Sequence, residues 1–134
     1  MKFNARKLTE QDYKMLVSWW KWWRWSPPAI TLLPDNGTGG LIIEKNNEPI
    51  VAGFLYFTNS EMVLLEWIIS NPEYRQKDRK DAIEFLIKVS ETLCKKQNKK
   101  HMFTIGRNKH LIDIHKKLDW HVDNKTSYEM IKNL

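Results

Sequence analysis

The chain has 134 residues, of which 42% are apolar and 28% charged, and this composition excludes an intrinsically disordered protein and predicts one domain over residues 1–134. Cys94 is the one cysteine, which excludes an intramolecular disulfide and any zinc site built on cysteine pairs. A net charge of +6 indicates an anionic partner, such as nucleic acid, a phosphorylated cofactor or an acidic protein surface.

The apolar segments of the chain bear on its location. Residues 1–7 lack the apolar core of a secretion signal. The longest apolar stretch, residues 62–69, is interrupted by Glu66 and is much shorter than a membrane span. We therefore expect a soluble, cytoplasmic protein with no membrane partner. No metal is expected, because the four histidines do not have the spacing of metal ligands.

The first predicted element is a helix that begins after Thr9. Thr9 followed by Asp12 is typical of a helix N-cap with an acid three residues later. Apolar residues then recur at helical spacing as far as Trp25. Pro27 and Pro28 are expected to end this helix, because proline cannot continue the hydrogen-bond ladder.

This helix contains five tryptophans within residues 19–25. Five indoles in seven residues cannot all face one core stripe, so some must be exposed. Exposed rings could line a pocket for a small ligand. They could also stack on nucleic-acid bases while Lys21 and Arg24 contact phosphates. They could also form an interface with a protein partner or with a second copy of the chain in a homodimer. The remaining interpretation is a wide core with incidental exposure.

Three strands are predicted next, over residues 41–44, 50–57 and 62–70, and their short turn-rich connections predict an antiparallel meander. An amphipathic helix is predicted from Arg79 to Gln97, followed by a buried strand over 102–105, which is the order of a parallel crossover. A short helix near residues 111–118 and a closing strand over 128–131 complete the chain. The expected class is therefore α/β, with a central mixed sheet flanked by helices.

Two segments resemble the GNAT family of N-acetyltransferases. Residues 66–75, Glu-Trp-Ile-Ile-Ser-Asn-Pro-Glu-Tyr-Arg, are similar to the end of the family's fourth strand and the V-x-P-x-Y-R stretch before its cofactor loop. Residues 115–120, His-Lys-Lys-Leu-Asp-Trp, are similar to its Y-x-x-L-G-F segment. The order of predicted elements is also that of the family. The resemblance covers nearly the whole chain and implies a GNAT fold, with acetyl-CoA as the acyl-CoA cofactor.

The resemblance also implies which residues bind the cofactor. The family's loop, (Q/R)-x-x-G-x-(G/A), holds a pyrophosphate with backbone amides and a helix N-terminus. It matches residues 75–80, where Asp78 and Lys80 replace small residues. The carboxylate would repel a pyrophosphate, whereas the four basic side chains of the loop would attract it. The expected cofactor-binding residues are Ile68, Ile69, Ser70, Arg75, Gln76, Lys77, Asp78, Arg79, Lys80 and Asn108.

Glu66 and His115 are the candidate catalytic residues. Glu66 interrupts an apolar strand, where desolvation raises the proton affinity of a carboxylate, and many family members carry an acid there. The alternative is a Glu66 that faces the open side of the sheet or pairs with a lysine. His115 stands where the family has its general-acid tyrosine, and histidine donates protons near neutral pH. Its alternative is a structural role on a stripe with Leu111 and Leu118. Asp119 replaces the family's glycine, and aspartate tolerates the left-handed conformation.

The acceptor is expected to contact aromatic side chains, namely Trp22, Trp23, Trp25 and Tyr56. The predicted function is acetyl-CoA-dependent N-acetyl transfer to an amine-bearing small molecule or macromolecule, by direct attack of the amine on the thioester. The alternative is a divergent, non-catalytic GNAT-fold module. Such a module would bind nucleic acid or a protein partner through its basic surface and its tryptophan-rich helix.

Overall fold

A five-stranded sheet organises the chain in the computed structural model, which describes residues 3–134. Met1 and Lys2 of the predicted domain lie outside the described residues. The strands, in the order β1-β2-β3-β4-β5 across the sheet, are β1 (Phe3–Lys7), β2 (Gly40–Lys45), β3 (Glu48–Phe57), β4 (Met62–Ser70) and β5 (His101–Phe103). The first four pair antiparallel and β5 pairs parallel to β4, which confirms the predicted meander and crossover.

The helices are α1 (Asp12–Trp22), α2 (Arg79–Lys96) and α3 (Lys109–Lys117), with short 3₁₀ segments at Ile30–Leu32 and Pro34–Gly37. None of the helices over residues 3–134 is long and apolar enough to cross a bilayer. The predicted closing strand over residues 128–131 is wrong. That segment is exposed and forms no strand, because its residues favour β structure only where a neighbouring strand offers a ladder.

The sheet separates two apolar cores. On one face, Leu86 and Ile87 of α2 pack with Val51 and Leu65 of the sheet, and α3 adds Ile114. On the other face, α1 packs Trp19 and Trp20 against further sheet residues, among them Ile42, Ala52 and Phe54. Helices therefore cover both faces of a mixed sheet, as the sequence predicts.

The end of α1 differs from the sequence prediction. The helix ends at Trp22 rather than Trp25, because Arg24 adopts the left-handed conformation with φ of 64°. The Arg24 N–H donates to the Lys21 carbonyl, and the Trp25 N–H donates to the Trp20 carbonyl at 2.9 Å. These two bonds form a Schellman motif, which turns the chain before the prolines are reached. The start of α1 also differs from the prediction, because the helix begins at Asp12 with Gln11 instead of Thr9 at the N-cap. The expected contact between the two residues is present, since Asp12 accepts a hydrogen bond from the Thr9 backbone N–H.

Candidate functional site

A β-bulge interrupts β4 at Trp67 and Ile68. Two residues of β4 stand there opposite the single residue Gly53 of β3, and Trp67 has a left-handed φ of 60°. On its other side β4 pairs with β5 at residues 62–64 and then diverges from it. Trp67 and Ile68 therefore share the position opposite Gly53 and lie beyond the residues of β4 that pair with β5. Bulges of this kind commonly re-aim side chains next to active sites.

The bulge also reverses which face of the sheet alternate residues of β4 contact. Before it, Val63 and Leu65 belong to the core beneath α2. After it, Trp67 and Ile69 belong to the core beneath α1. Since neighbouring residues of a strand point to opposite faces, Glu66 lies on the α1 side, at the point where β4 leaves β5.

Two adjacent cavities lie where β4 and β5 separate. The first, which we name the α2 cavity, has a volume of about 640 Å³ and lies between the end of β4, the start of α2, and α3. The second, the Glu66 cavity, has a volume of about 660 Å³ and lies between the middle of β4 and the segment after β5. Both are lined by Trp25, Ile68, Asn108 and Leu111, so they meet beside the bulge.

Glu66 is the half-buried carboxylate of the second cavity. Its Oε2 accepts a hydrogen bond from the Ile105 backbone N–H at 3.2 Å, and the Thr104 hydroxyl lies 3.5 Å from Oε1. Burial raises the pKa of Glu66 from 4.5 to about 7, although the hydrogen bonds from Ile105 and Thr104 oppose the rise. Glu66 is therefore divided between its acidic and basic forms near neutral pH, as suits a residue that exchanges protons.

The start of α2 gives the first cavity a basic rim. Lys77, Arg79 and Lys80 line it, and among the described residues no side chain caps the first turn of the helix. Uncapped N–H groups and the positive end of the helix dipole favour an anion at this place. Asp81 and Glu84 also line the cavity and reduce its positive charge, although Glu84 pairs with Lys117 at 3.1 Å.

Asp78, the residue that departs most from the family's loop, faces away from the α2 cavity. Its Oδ2 accepts a hydrogen bond from Lys45 Nζ at 2.7 Å, and its Oδ1 accepts one from the Tyr74 hydroxyl at 2.7 Å. The bond from Lys45 is the main cause that lowers the pKa of Asp78, so the carboxylate is ionised and paired. The repulsion expected between Asp78 and a pyrophosphate is therefore largely neutralised by Lys45.

Solved structures with a similar arrangement of strands and helices include acetyltransferases. AAC(6')-Iy, in complex with the bisubstrate analogue CoA-S-monomethyl-acetylneamine, is 15% identical at a TM-score of 0.69, over 99% of this chain and 100% of that one. An aminoglycoside acetyltransferase from an uncultured soil metagenomic sample is 9% identical at a TM-score of 0.68, over 98% and 97% of the two chains. A ribosomal-protein-alanine N-acetyltransferase from Brucella melitensis biovar Abortus 2308 is 12% identical at 0.66, over 98% and 99%.

The chain has the GNAT fold. No protein-family model and no curated protein sequence matches it. At these low identities the likeness establishes the fold, and the chemistry of the chain has to be argued from its own residues.

His115 lines neither the α2 cavity nor the Glu66 cavity. Its side chain is buried, its Nδ1 donates to the Leu111 carbonyl at 2.8 Å, and its ring meets the Trp120 ring edge-on at a centroid distance of 4.7 Å. Burial lowers the pKa of His115, which keeps the ring neutral. The burial of His115 and its hydrogen bond within α3 fit the structural role that is the alternative for this residue, and the general-acid role stays a prediction.

The five clustered tryptophans divide between core and surface, as the helical spacing predicts. Trp19 and Trp20 are buried, whereas Trp22 and Trp25 keep 54% and 50% of their surface exposed. Trp25 lines both cavities. Trp23 lines the α2 cavity, and its Nε1 donates to the Ser70 carbonyl at 2.9 Å. Trp22 lies outside both, beside Arg75 in a separate hollow of about 350 Å³.

The structure brings together most of the predicted site residues. The α2 cavity contains Ile68, Ile69, Ser70, Lys77, Arg79, Lys80 and Asn108, and the Glu66 cavity contains Glu66 and Tyr56. Arg75, Gln76 and Asp78 lie outside both, on the outer side of the loop. The Arg79 guanidinium is held by the Tyr74 carbonyl at 2.6 Å, so it stabilises the loop as well as contributing charge. Over residues 3–134, no group of three or more His, Cys, Asp or Glu side chains could hold a metal ion.

Lys45 and Ile105 are functional candidates that the sequence alone does not reveal. Lys45 pairs with a residue 33 positions away, and Ile105 acts through its backbone N–H, which any residue except proline would supply. Asp119 does carry a sequence signal. Its φ of 68° confirms the left-handed turn expected where the family has glycine.

Proposed function

We propose that the chain is an acetyl-CoA-dependent N-acetyltransferase. The observation that carries this proposal is a continuous cleft, opened by the β4 bulge, with a basic helix start at one end and a half-buried carboxylate at the other. A cofactor with a charged pyrophosphate and a neutral thioester arm fits such a cleft, because its anionic part would meet Lys77 and Lys80 while its arm lies beside apolar Ile68.

Each part of the cleft has a role in this proposal. When bound, acetyl-CoA would supply the thioester carbon, at which the C–N bond would form and the C–S bond would break, with CoA leaving as a thiolate that takes a proton from solvent. The backbone amides of Trp67 and Ile68 at the bulge are the candidates to stabilise negative charge on the carbonyl oxygen. Glu66 accepts the proton that the attacking amine must lose, and its pKa of about 7 suits that transfer near neutral pH.

The proposal is tested by calorimetric titration of the protein with CoA. We expect binding that weakens by about tenfold in the double variant K77A/K80A, because both charges lie at the start of α2. The matched control is K95A/K96A, which removes the same charge from the last turn of the same helix. No binding at millimolar CoA, or equal loss in both double variants, would contradict the proposal.

A second candidate function is binding of single-stranded nucleic acid, and the exposure of Trp22 beside Arg75 favours it. An exposed indole next to basic side chains can stack on a base while the cations contact phosphates. Fluorescence anisotropy with a labelled oligonucleotide tests this function. Salt-sensitive affinity that W22A abolishes would support it, and affinity unchanged in W22A would exclude this surface.

A further inference from the structure

Seven of the fourteen residues that line the Glu66 cavity are aromatic or aliphatic, and apolar atoms supply most of its wall. Three of them are aromatic rings and four are aliphatic side chains. The rings are Trp25, Tyr56 and Trp67, and the aliphatic residues are Leu64, Ile68, Ile105 and Leu111. A ligand in this cavity would therefore exchange water for aromatic and aliphatic contacts over most of its surface.

The polar ends of two of these aromatic rings are paired with each other within the protein. Trp67 Nε1 donates to the Tyr56 hydroxyl at 2.7 Å, and that hydroxyl donates to the Leu32 carbonyl at 2.9 Å. A sugar hydroxyl placed against these two rings would find no free partner on them, and an unpaired hydroxyl in such a place lowers affinity.

The charges around the cavity favour one cation. Arg107 and Glu129 lie at its rim, paired with each other at 3.2 Å, and both are largely exposed. This pair is neutral as a unit, and it occupies the arginine that a ligand carboxylate would otherwise bind. Glu66 is left as the carboxylate inside the cavity, held by backbone and hydroxyl donors instead of by a cation.

We propose that the acceptor is a primary amine carried on an apolar aryl or alkyl body. The ammonium meets the Glu66 carboxylate, and the apolar body packs against Trp25, Tyr56 and Trp67. This inference rests on the proposed acetyl transfer, since it names the substrate class of the same cleft. Amino acids are disfavoured, because Arg107 at the rim is paired with Glu129. Aminosugars are disfavoured, because their hydroxyls would face the rings of Tyr56 and Trp67.

The test measures amine binding directly, by calorimetry on protein saturated with CoA. The probes are 2-phenylethylamine, ethanolamine and glucosamine, which share a primary amine and differ in its carrier. We expect 2-phenylethylamine to bind at least about tenfold more tightly than the other two, because it buries a phenyl ring. In acetyl-transfer assays the ratio of kcat/KM for 2-phenylethylamine to that for ethanolamine should show the same preference.

Trp25 provides the decisive variants, because it is half exposed and lines the cavity. We expect W25A to reduce the preference for 2-phenylethylamine by about fivefold or more and W25F to retain most of it. W22A is the matched control, since Trp22 is exposed to a similar extent three residues earlier, at the end of α1, but lies outside the cavity. W22A should leave the preference unchanged.

The outcomes separate this inference from the proposed function. Tighter binding of ethanolamine or glucosamine, or a preference that W25A and W22A reduce equally, would overturn the inference while CoA binding stands. Failure of CoA to bind the unmodified protein would overturn the proposed acetyl transfer, and the substrate class with it.

Discussion

Two features of the environment of Glu66 have opposite effects on its pKa. Burial in the cleft raises its pKa, and hydrogen bonds from Ile105 and Thr104 lower it, with a net value of about 7. The sequence predicts this residue well, because an acid inside an apolar strand is easily recognised. It cannot predict the donors, because they come from a segment almost forty residues later that approaches only in the fold.

Acetyl transfer should depend on the ionisation of Glu66. We expect kcat/KM to rise with pH through about 7 and then to level off, because the residue accepts a proton only as a carboxylate. E66Q should lower kcat by about 10²- to 10⁴-fold and remove this rise. E61Q is the control, since Glu61 is an exposed acid before the same strand. An unchanged pH profile in E66Q would argue against Glu66 as the base.

The same pKa shift predicts a pH-dependent effect on stability. The pKa of Glu66 is about 7 in the folded protein and 4.5 for an ordinary glutamate, so the folded protein holds this proton more tightly than the unfolded chain does. The stabilising contribution is present below pH 4.5 and is lost as pH rises through 7. Removing the ionisable group should therefore make E66Q more stable than the parent at pH 8, with the difference vanishing near pH 4. Thermal melts across this range measure it, and an equal difference at both pH values would contradict the burial argument.

Lys45 should protect the cofactor loop from the charge of Asp78. The variant K45M leaves Asp78, two residues before Lys80, without its paired cation. We expect CoA affinity to fall by about threefold or more, because the unpaired carboxylate repels the pyrophosphate. Adding D78N in the double variant should restore affinity, because it removes the unpaired charge.

Pantetheine separates charge from structure in that experiment. It lacks the pyrophosphate, so its binding should not change in K45M. Equal weakening of CoA and pantetheine would indicate a general distortion of the loop instead.

At the scale of elements, the three helices end in the same way. The left-handed residues Arg24, Asn98 and Asp119 follow α1, α2 and α3, and each is accompanied by a backward backbone hydrogen bond from the next residue. Glycine usually occupies this position, so the sequence gives only a weak signal for the ends. The prolines after α1 are the stronger signal, and they lead the prediction three residues too far.

Arg24 is the least suited of these residues to a left-handed conformation, because asparagine and aspartate tolerate it better. We expect R24G to stabilise the protein by about 0.5–1 kcal/mol, by relieving the contact between Cβ and the backbone. R24A keeps the Cβ atom and should bring no such gain. Urea unfolding of the two variants compares them, and a gain in R24A equal to that in R24G would assign the effect to the lost side chain.

The β4 bulge is the element that prediction from sequence misses. Residues 62–69 are apolar on both sides of the strand except at Glu66, so no alternation of polar and apolar residues reveals where the register shifts. The sequence therefore predicts the bounds of β4 correctly without showing that the strand changes face at Trp67.

For the whole molecule, the order of elements carries most of the prediction. Short turns specify the antiparallel meander and a long amphipathic helix specifies the crossover, so the mixed sheet follows from local signals. The GNAT fold itself is implied by the resemblance of residues 66–75 and 115–120 to the family's motifs. The predicted strand over residues 128–131 is wrong because strand-forming residues also need a neighbouring strand to pair with. The packing of His115 against Trp120 could not be predicted, because this contact forms only when the chain turns after α3. The single domain over residues 1–134 stays a prediction.

Amide chemical-shift mapping on addition of CoA tests whether the cofactor binds in the cleft between β4 and β5. We expect large shifts for the amides of Trp67, Ile68, Lys80 and Asp81, which lie at the bulge and at the start of α2, and little change in β1 and β2. No shifts at millimolar CoA would contradict binding in this cleft. Shifts confined to the surface around Trp22 and Arg75 would contradict it equally, because they would place the ligand outside the cleft between β4 and β5.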